Sequence, residues 1–334
     1  DCLASAMGLQ RLLAAWEIES RIVHGGGMGR AENKAMVGLL NLELTLIEEI
    51  GTGPFRGVIL ADTQPGTGNN SLPPEIPVLA VIDHHALVEE LTWEAAFADI
   101  RPEYSASSTI VLEYLLAAGV EVDKPLATAL YLGIKTDTDS LERESSVDDV
   151  AAYGKLLPLV DLDMLKKVTH PPLPDEYFSY LQRALSDSCR FGEALVANVG
   201  SIEVPDYLSA ISDMLIQAKN AAWALAIGWR ERKIYLSLRI RAPRKNAANI
   251  LRKTVADAGR GGGHGLAAGG QIEVADGQNI QDAVIQAIDR FLEVVGEADA
   301  APRLLSIQND EGLGTYSAFS KKAESGELPR QEGD

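Results

Sequence analysis

The chain is predicted to be an α/β protein, with an N-terminal, mostly parallel sheet that has helices on both faces and a smaller C-terminal α+β domain. Three observations predict this fold class. Short apolar runs alternate with segments of helical periodicity through the first 135 residues, which is typical of a parallel sheet. The proline-rich segment 170–174 interrupts the chain, and strands and helices follow a different order beyond it. The length of 334 residues is sufficient for two domains.

Elements of the first half are predicted from apolar patterns and from the turn residues that flank them. Residues 78–82 are all apolar, which is typical of a strand buried on both faces. Ser107 and Ser108 are N-cap candidates, and Gly119 is a C-cap candidate, for one helix. The predicted elements are helix 1–16, strand 21–24, one or two helices in 32–50, strand 56–62, a strand ending at Asp83, helix 107–119 and helix 125–135.

The second half is predicted to contain a helical stretch and then a mixed arrangement. Its predicted elements are helical segment 148–168, strand 195–199, helix 205–219, strands 222–229 and 233–241, helix 246–258, a glycine loop at 259–270, strand 271–274 and helix 280–295. The predicted domain limits are a first domain at 1–150, a helical linker at 151–190, a second domain at 191–298 and a polar tail at 299–334.

Composition excludes several classes of protein. The net charge of -18 argues against binding of long duplex nucleic acid, which depends on many contacts between basic side chains and phosphates. Two cysteines are too few for a disulfide framework or a thiolate zinc site. The sequence contains neither a membrane-length apolar stretch nor a signal-peptide pattern. We therefore expect a cytoplasmic protein without a membrane partner.

Polar side chains follow the predicted buried strands at the points where the strands end. Asp83, His84 and His85 end one strand, and Asp62 ends another. Asp137 lies where a helix ends, and Asp1 lies at a helix start. An aspartate after a strand is more often a turn residue or a cap. Carboxylates gathered at one sheet edge need a cation, however, and oxygen ligands with imidazole suit Mn²⁺ or Mg²⁺.

A glycine-rich motif near the C-terminus suggests a site for an anion. Consecutive glycines at 261–263 precede His264, and their backbone N–H groups can close on an anion. Residues 230–260 carry ten Lys and Arg residues in an otherwise acidic chain, and Arg239 lies late in a mostly apolar strand. A flexible connection with a solvated basic face is the alternative interpretation. The favoured one is a pocket for a small phosphorylated ligand.

The two motifs together resemble those of the DHH/DHHA1 phosphoesterase superfamily, in particular its nanoRNase/pAp phosphatase-like branch. The resemblance is carried by Asp83-His84-His85 and by Gly261-Gly262-Gly263-His264 with Gly269, and it covers most of residues 1–295. Residues 133–138 are similar to the fourth motif of that family, and Asp62 falls where its second motif is expected. The resemblance implies a DHH domain, a DHHA1 domain and an active site in the cleft between them.

The resemblance also implies a metal site. Asp62 would bridge two ions, and His84 and Asp137, together with Asp1, would ligate one of them. The implied cofactor is Mn²⁺, with Mg²⁺ as the alternative, and two ions are expected in the full-length protein. The family's opening pattern, His-x-x-x-Asp-x-Asp, has a His and a first Asp before the position of Asp1, so we expect these residues upstream of Asp1. Asp139 departs from the small residue common in the family.

Catalytic and substrate-binding roles follow from the same resemblance. Asp83 would support the two histidines, and His85 would face the scissile phosphate. The second domain would bind the terminal phosphate or nucleotide through Arg239, Gly262, Gly263 and His264.

The leading function is a Mn²⁺-dependent phosphoesterase that hydrolyses nanoRNA, pAp or a linear or cyclic dinucleotide with a metal-activated water. Its expected partner is a small phosphorylated nucleotide or short oligonucleotide, and a homodimer is one expected assembly. The alternatives are a catalytically impaired nucleotide-binding or regulatory module and a polyphosphatase or pyrophosphatase.

Overall fold

The computed structural model describes residues 1–25, 28, 31–50, 55–67, 70–87, 92–142, 145–241 and 246–305. The chain forms two compact units, Asp1–Pro172 and Leu173–Asp334. The division falls inside the proline-rich segment 170–174, where Pro171 and Pro172 prevent regular structure from continuing. Within the described residues, no helix is both long and apolar enough to cross a membrane.

The first unit contains two sets of parallel strands. Strand β1 (Ile22–His24) pairs with β2 (Leu44–Leu46), and β4 (Val78–Asp83) pairs on its two sides with β3 (Val58–Ala61) and β5 (Phe97–Ile100). All three pairings are parallel, so the carboxyl ends of β3, β4 and β5 lie at one edge. Val81 and Ile82 in β4 are almost fully buried, as expected for a strand in the middle of a sheet.

Six α-helices accompany these strands in the part of the first unit that the structure describes. They are α1 (Cys2–Ala15), α2 (Ala31–Leu40), α3 (Ser107–Ala117), α4 (Lys124–Asp137), α5 (Val147–Leu156) and α6 (Leu162–Thr169). Helices α1, α3 and α4 pack against one another around fully buried side chains such as Ile110 and Leu130. The approach is close at Gly8, where a Cβ atom would lie 2.4 Å from Val111 Cγ1. Only glycine therefore permits this packing of α1 on α3.

The second unit is a seven-stranded mixed sheet with helices on both faces. Its strands are β6 (Cys189–Phe191), β7 (Ala194–Ser201), β8 (Trp223–Arg230), β9 (Lys233–Ile240), β10 (Gly259–His264), β11 (Ala267–Glu273) and β12 (Pro302–Leu304). Their order is β10-β11-β9-β8-β7-β6-β12, and among these seven described strands the β7–β8 pair is parallel and the other pairs are antiparallel.

The alternation of side chains in these strands creates two hydrophobic cores. One face packs against α7 (Asp175–Asp187) and α8 (Tyr207–Leu215), and the other against α9 (Ala247–Val255) and α10 (Ile280–Val295). In β8, for example, Ala224 and Ala226 lie in the first core and Leu225 in the second. The predicted fold class, a parallel α/β domain followed by an α+β domain, is confirmed.

Two predicted elements are wrong. Residues 44–46 form β2 and not a helix, because Asn41 adopts a left-handed conformation (φ 49°) after α2 and the next residues pair with β1. The predicted glycine loop at 259–270 is a β-hairpin of β10 and β11. Glycine is required there because a Cβ on Gly259 would lie 2.2 Å from the backbone oxygen of Gln271. Strand β5 was not predicted, because a run of four residues gives little periodicity.

The structure also divides the predicted helical linker 151–190. Residue 150 lies inside α5, and Leu156 and Val168 belong to the hydrophobic core of the first unit. Ala184, in α7, belongs to a core of the second unit. Each half of this stretch thus packs on a different unit, because its helices are amphipathic. In the predicted tail 299–334, residues 306–334 lie outside the described residues.

Candidate metal centre

Four segments distant in sequence bring polar side chains together at the carboxyl edge of the parallel strands. Asp62 follows β3 with a left-handed conformation (φ 63°), and its N–H donates to Ile82 O at 2.9 Å. Asp83 is the last residue of β4 and is followed by His84 and His85. Asp137 is the last residue of α4, and Asp1 precedes α1. The sequence prediction that these side chains converge therefore agrees with the geometry.

Asp1, Asp62, His84 and Asp137 each offer a ligand atom, and these four atoms lie within 4.8 Å of one another. His84 Nε2 lies 3.3 Å from Asp62 Oδ1 and 3.4 Å from Asp137 Oδ2. On the other side of the ring, His84 Nδ1 lies 3.3 Å from the carbonyl oxygen of Tyr104. A proton on Nδ1 satisfies that carbonyl and leaves the Nε2 lone pair directed at the carboxylates, the arrangement typical of a metal-ligating histidine.

The electrostatics of this cluster favour a cation. Burial lowers the pKa of His84, but the Asp137 and Asp62 carboxylates raise it more, so that the pKa rises from 6.5 to about 10. The carboxylates therefore stabilise positive charge at the position of Nε2. Three carboxylates and one imidazole form a donor set suited to Mn²⁺ or Mg²⁺. The residues present thus fit a divalent ion held by Asp1, Asp62, His84 and Asp137.

Asp83 and His85 form a second arrangement beside this cluster. Asp83 is fully buried, and its Oδ1 lies 2.7 Å from His85 Nδ1 and accepts the His85 backbone N–H at 3.2 Å. Burial raises the pKa of Asp83, but hydrogen bonds from His85 and Gln64 lower it more, so the carboxylate is held ionised. The His85 ring is partly exposed and lies 4.3 Å from that of His84, centroid to centroid. Asp83 thus orients His85 beside the metal cluster.

The position of Asp1 corrects the prediction for the start of α3. The Asp1 carboxylate accepts the backbone N–H groups of Ser107 at 2.5 Å and Ser108 at 3.0 Å, and it also accepts the Ser108 hydroxyl. The residue at the N-cap position is Ala106, which has no capping side chain. Ser107 and Ser108 are therefore not the cap, because a carboxylate from α1 takes that place. A negative group at a helix N-terminus is favourable.

The sequence analysis missed two side chains that contact this centre. The Ser107 hydroxyl donates to Asp62 Oδ1 at 3.1 Å. Gln64, only 1% exposed, donates from Nε2 to Asp83 Oδ2 at 2.8 Å. The position of Gln64 two residues after Asp62 was a signal for its proximity. Ser107 gave no such signal, because its contact depends on how α3 packs.

The predicted substrate-binding residues lie in the second unit. Arg239 is 7% exposed and donates from Nε and Nη2 to Asp213, at 2.5 and 3.2 Å. Its Nη1 donates to Ser237 Oγ and to Leu238 O, both at 3.2 Å. These bonds give Arg239 a role inside the unit, where it links β9 to α8. The side chain of His264 lies outside the described residues.

The glycine hairpin presents bare backbone on one face. Gly262 and Gly269 are cross-strand partners, both are exposed, and a Cβ at either position would meet no atom within 4 Å. Gly261 and Gly270 alternate with them and face α9 instead. Gly263 has φ 147°, and a Cβ there would lie 2.3 Å from Ala267 O. The hairpin thus combines glycines required for packing with two that leave an open surface.

Comparisons with known proteins match both units. The DHHA1 domain model matches residues 192–293, which include the glycine hairpin. An uncharacterized protein of Methanocaldococcus jannaschii is 33% identical over 304 residues, or 89% of this chain and 62% of the relative. The chain therefore spans less than two thirds of that relative's length.

Two solved structures differ in how far they resemble this one. An exopolyphosphatase-related protein from Bacteroides fragilis aligns with a TM-score of 0.67 and 15% identity over 87% of both chains, which shows a shared fold. A pGpG-specific phosphodiesterase of Vibrio cholerae aligns over 84% of this chain and 100% of its own, at 8% identity. Its TM-score of 0.28 is too low to support a shared arrangement.

Fold and site together define a two-domain α/β protein whose parallel strands end in a cluster of carboxylates and histidines. Its second domain is a DHHA1 domain. The family shown by the comparisons is that of the second unit, in which residues 192–293 match the DHHA1 domain model.

Proposed function

We propose that this protein is a metal-dependent phosphoesterase that hydrolyses short nucleotide substrates such as nanoRNA, pAp or a dinucleotide. The observation that carries the proposal is the convergence of Asp1, Asp62, His84 and Asp137 within 4.8 Å. The DHHA1 domain in residues 192–293 and the resemblance of the Asp83-His84-His85 motif to that of the DHH/DHHA1 phosphoesterases support the same reaction class. Mn²⁺ is the proposed ion, since carboxylates with one imidazole suit it well.

A bound divalent ion would supply Lewis-acid activation of water and would neutralise charge on the phosphate. The protein's own residues would do the rest. Asp62 and Asp137 would hold the ion, and the Tyr104 carbonyl would fix the ring of His84 in the ligating tautomer. His85, oriented by Asp83, would face the scissile phosphate.

For the second unit, we propose that the open face of the glycine hairpin contacts the nucleotide or its terminal phosphate. Gly262 and Gly269 leave their peptide groups accessible without a side chain above them. Peptide N–H groups can donate to phosphate oxygens, and the flat surface accommodates a planar base. His264 is proposed to act with them. Arg239 is left out of this proposal, because its donors are already engaged.

A substrate panel tests the proposal. The protein, with any residues that precede Asp1 in its natural sequence, is assayed with Mn²⁺ or Mg²⁺ on pAp, two- to four-residue RNA, linear and cyclic dinucleotides, pyrophosphate and polyphosphate. We expect nucleotide hydrolysis that is lost in Asp62→Asn and kept in Asp163→Asn, an exposed carboxylate of α6. Stoichiometric Mn²⁺ binding without hydrolysis of any substrate would favour a regulatory module instead.

Polyphosphate hydrolysis is a second candidate function, favoured by the shared fold with a protein described as exopolyphosphatase-related. The glycine surface separates the two candidates. Gly262→Ala should raise KM for nucleotides more than for a generic aryl phosphate, as should substitution of His264. Gly154→Ala, at an open helical position in the first unit, is the matched control. A preference for polyphosphate that is indifferent to Gly262→Ala would support the second candidate.

A further inference from the structure

We infer that Gln64 is a positioning residue that fixes His85 in one tautomer and one orientation. Only the predicted effect of Gln64 on the reaction rate rests on the proposed function. Gln64 is 1% exposed and uses both hydrogens of its amide on the His85 region: Nε2 donates to Asp83 Oδ2 at 2.8 Å and to His85 O at 3.0 Å. The buried Gln64 side chain thus holds the Asp83 carboxylate, which contacts the His85 ring, and also holds the backbone of His85.

The two oxygens of Asp83 are divided between two neighbours. Gln64 occupies Oδ2, so Oδ1 is left to accept from His85, through the ring Nδ1 at 2.7 Å and the backbone N–H at 3.2 Å. Both oxygens of Asp83 already accept N–H groups, Oδ2 from Gln64 and Oδ1 from the His85 backbone, so the geometry assigns the proton of the 2.7 Å contact to His85 Nδ1. If Gln64 were removed, Asp83 could rotate and the choice of tautomer would no longer be fixed.

The polarity of Gln64 also favours a functional role. Its Oε1 atom is buried and has no hydrogen-bond partner among the described residues. A buried polar group without a partner lowers stability. An apolar side chain of similar length would avoid that cost, so stability alone gives no reason for a glutamine here.

The loop around Gln64 is built to hold the side chain in place. Its carbonyl oxygen accepts the Thr67 hydroxyl and the Asn70 amide, both at 2.8 Å. Asn70 also donates to Thr63 Oγ1 at 2.9 Å. The side-chain hydrogen bonds of Gln64 go to Asp83 and His85, and the proposed metal ligands Asp62 and His84 are not among its partners. Loss of Gln64 should therefore alter His85 and leave the metal ligands in place.

The decisive measurement is the tautomer of His85, read from long-range ¹H–¹⁵N NMR of the histidine side chains in the full-length protein. We expect the wild-type proton on Nδ1, with His85→Gln used to assign the signal. A wild-type proton on Nε2 alone would overturn the inference, whether or not any variant folds. In Gln64→Met, which keeps the length and removes the donor, we expect a mixture of tautomers. An unchanged signal in a folded Gln64→Met protein would also overturn it.

Kinetics provide the second readout. We expect Gln64→Met to lower kcat by about tenfold to 100-fold, the usual range for loss of a supporting hydrogen bond at a metal site, with KM and Mn²⁺ affinity nearly unchanged. A parallel fall in Mn²⁺ affinity would show a structural role and contradict the inference. If the wild-type protein hydrolyses no phosphoester, the proposed function fails. The NMR comparison still tests the coupling of Gln64 to His85 in that case.

Discussion

Substitution of Ser107 by alanine should weaken metal binding without changing any proposed ligand. The Ser107 hydroxyl donates to Asp62 Oδ1 at 3.1 Å, and both side chains are largely buried. The backbone N–H of Ser107 donates to Asp1 and is kept in the variant. Ser107→Ala thus removes one hydrogen bond to a carboxylate and preserves the contact that caps α3.

The magnitude follows from the kind of bond that is lost. A hydrogen bond to a charged group contributes about 1.5–3 kcal/mol, and 1.4 kcal/mol corresponds to tenfold in affinity. We therefore expect the dissociation constant of Mn²⁺ to rise by about tenfold to 100-fold, in agreement with the usual effect of removing a group that orients a metal ligand.

Isothermal titration calorimetry with Mn²⁺ measures this change. Ser209→Ala, which removes a hydroxyl from α8 in the other unit, serves as the control. Thermal denaturation of the metal-free proteins shows whether Ser107→Ala is folded. A folded Ser107→Ala protein with Mn²⁺ affinity within twofold of wild type would refute the argument that Ser107 orients Asp62.

Three further predictions concern pH and stability. The pKa of His84 is about 10 in the folded protein and 6.5 in the unfolded chain. The protonated ring therefore stabilises the metal-free protein fully below pH 6.5, and this stabilisation is lost as pH rises toward 10. Thermal denaturation in EDTA should therefore show falling stability across that interval; a slope that persists in His84→Asn would contradict this. Asp149 is fully buried and accepts four hydrogen bonds. Asp149→Ala should therefore lower the free energy of unfolding by roughly 3 kcal/mol, as measured by urea denaturation. A loss below about 1 kcal/mol would be inconsistent with its burial. Asp213→Ala leaves the buried guanidinium of Arg239 without its carboxylate, whereas Arg239→Met leaves only a half-exposed carboxylate without a partner. Asp213→Ala should therefore lower the free energy of unfolding more than Arg239→Met does, as measured by urea denaturation. The opposite order would show that the packing of Arg239 outweighs its charge.

Local sequence determined the strands and the residues at their ends. Asp62 and Asp83 follow apolar runs, and parallel strands bring such residues to one edge whatever the details of packing. His84, which follows Asp83, could be expected in the same cluster for this reason, whereas the place of Asp137, at a helix end, was implied by the family resemblance. Helix α10 was predicted at its observed limits, since its apolar periodicity and Asn279 cap are local features.

Contacts between distant segments could not be predicted in the same way. Ser107 was taken as a helix cap because serine commonly has that role, and only the packing of α1 on α3 shows that Asp1 occupies the cap position. Arg239 was taken as a phosphate ligand because it is basic and lies in a strand. The neighbouring α8 supplies Asp213, and the local sequence gave no sign that this carboxylate would pair with Arg239.

By itself the sequence determined the class of fold, the Asp-His-His strand end and the glycine motif, because each depends on residues that are adjacent in the chain. Tertiary structure alone decided which oxygen of Asp83 faces Gln64, which nitrogen of His84 faces the carboxylates, and which glycines of the hairpin remain open. The physical reason is that hydrogen bonds form between atoms about 3 Å apart, and residues separated by 19 to 106 positions reach that distance only when the helices and strands have packed.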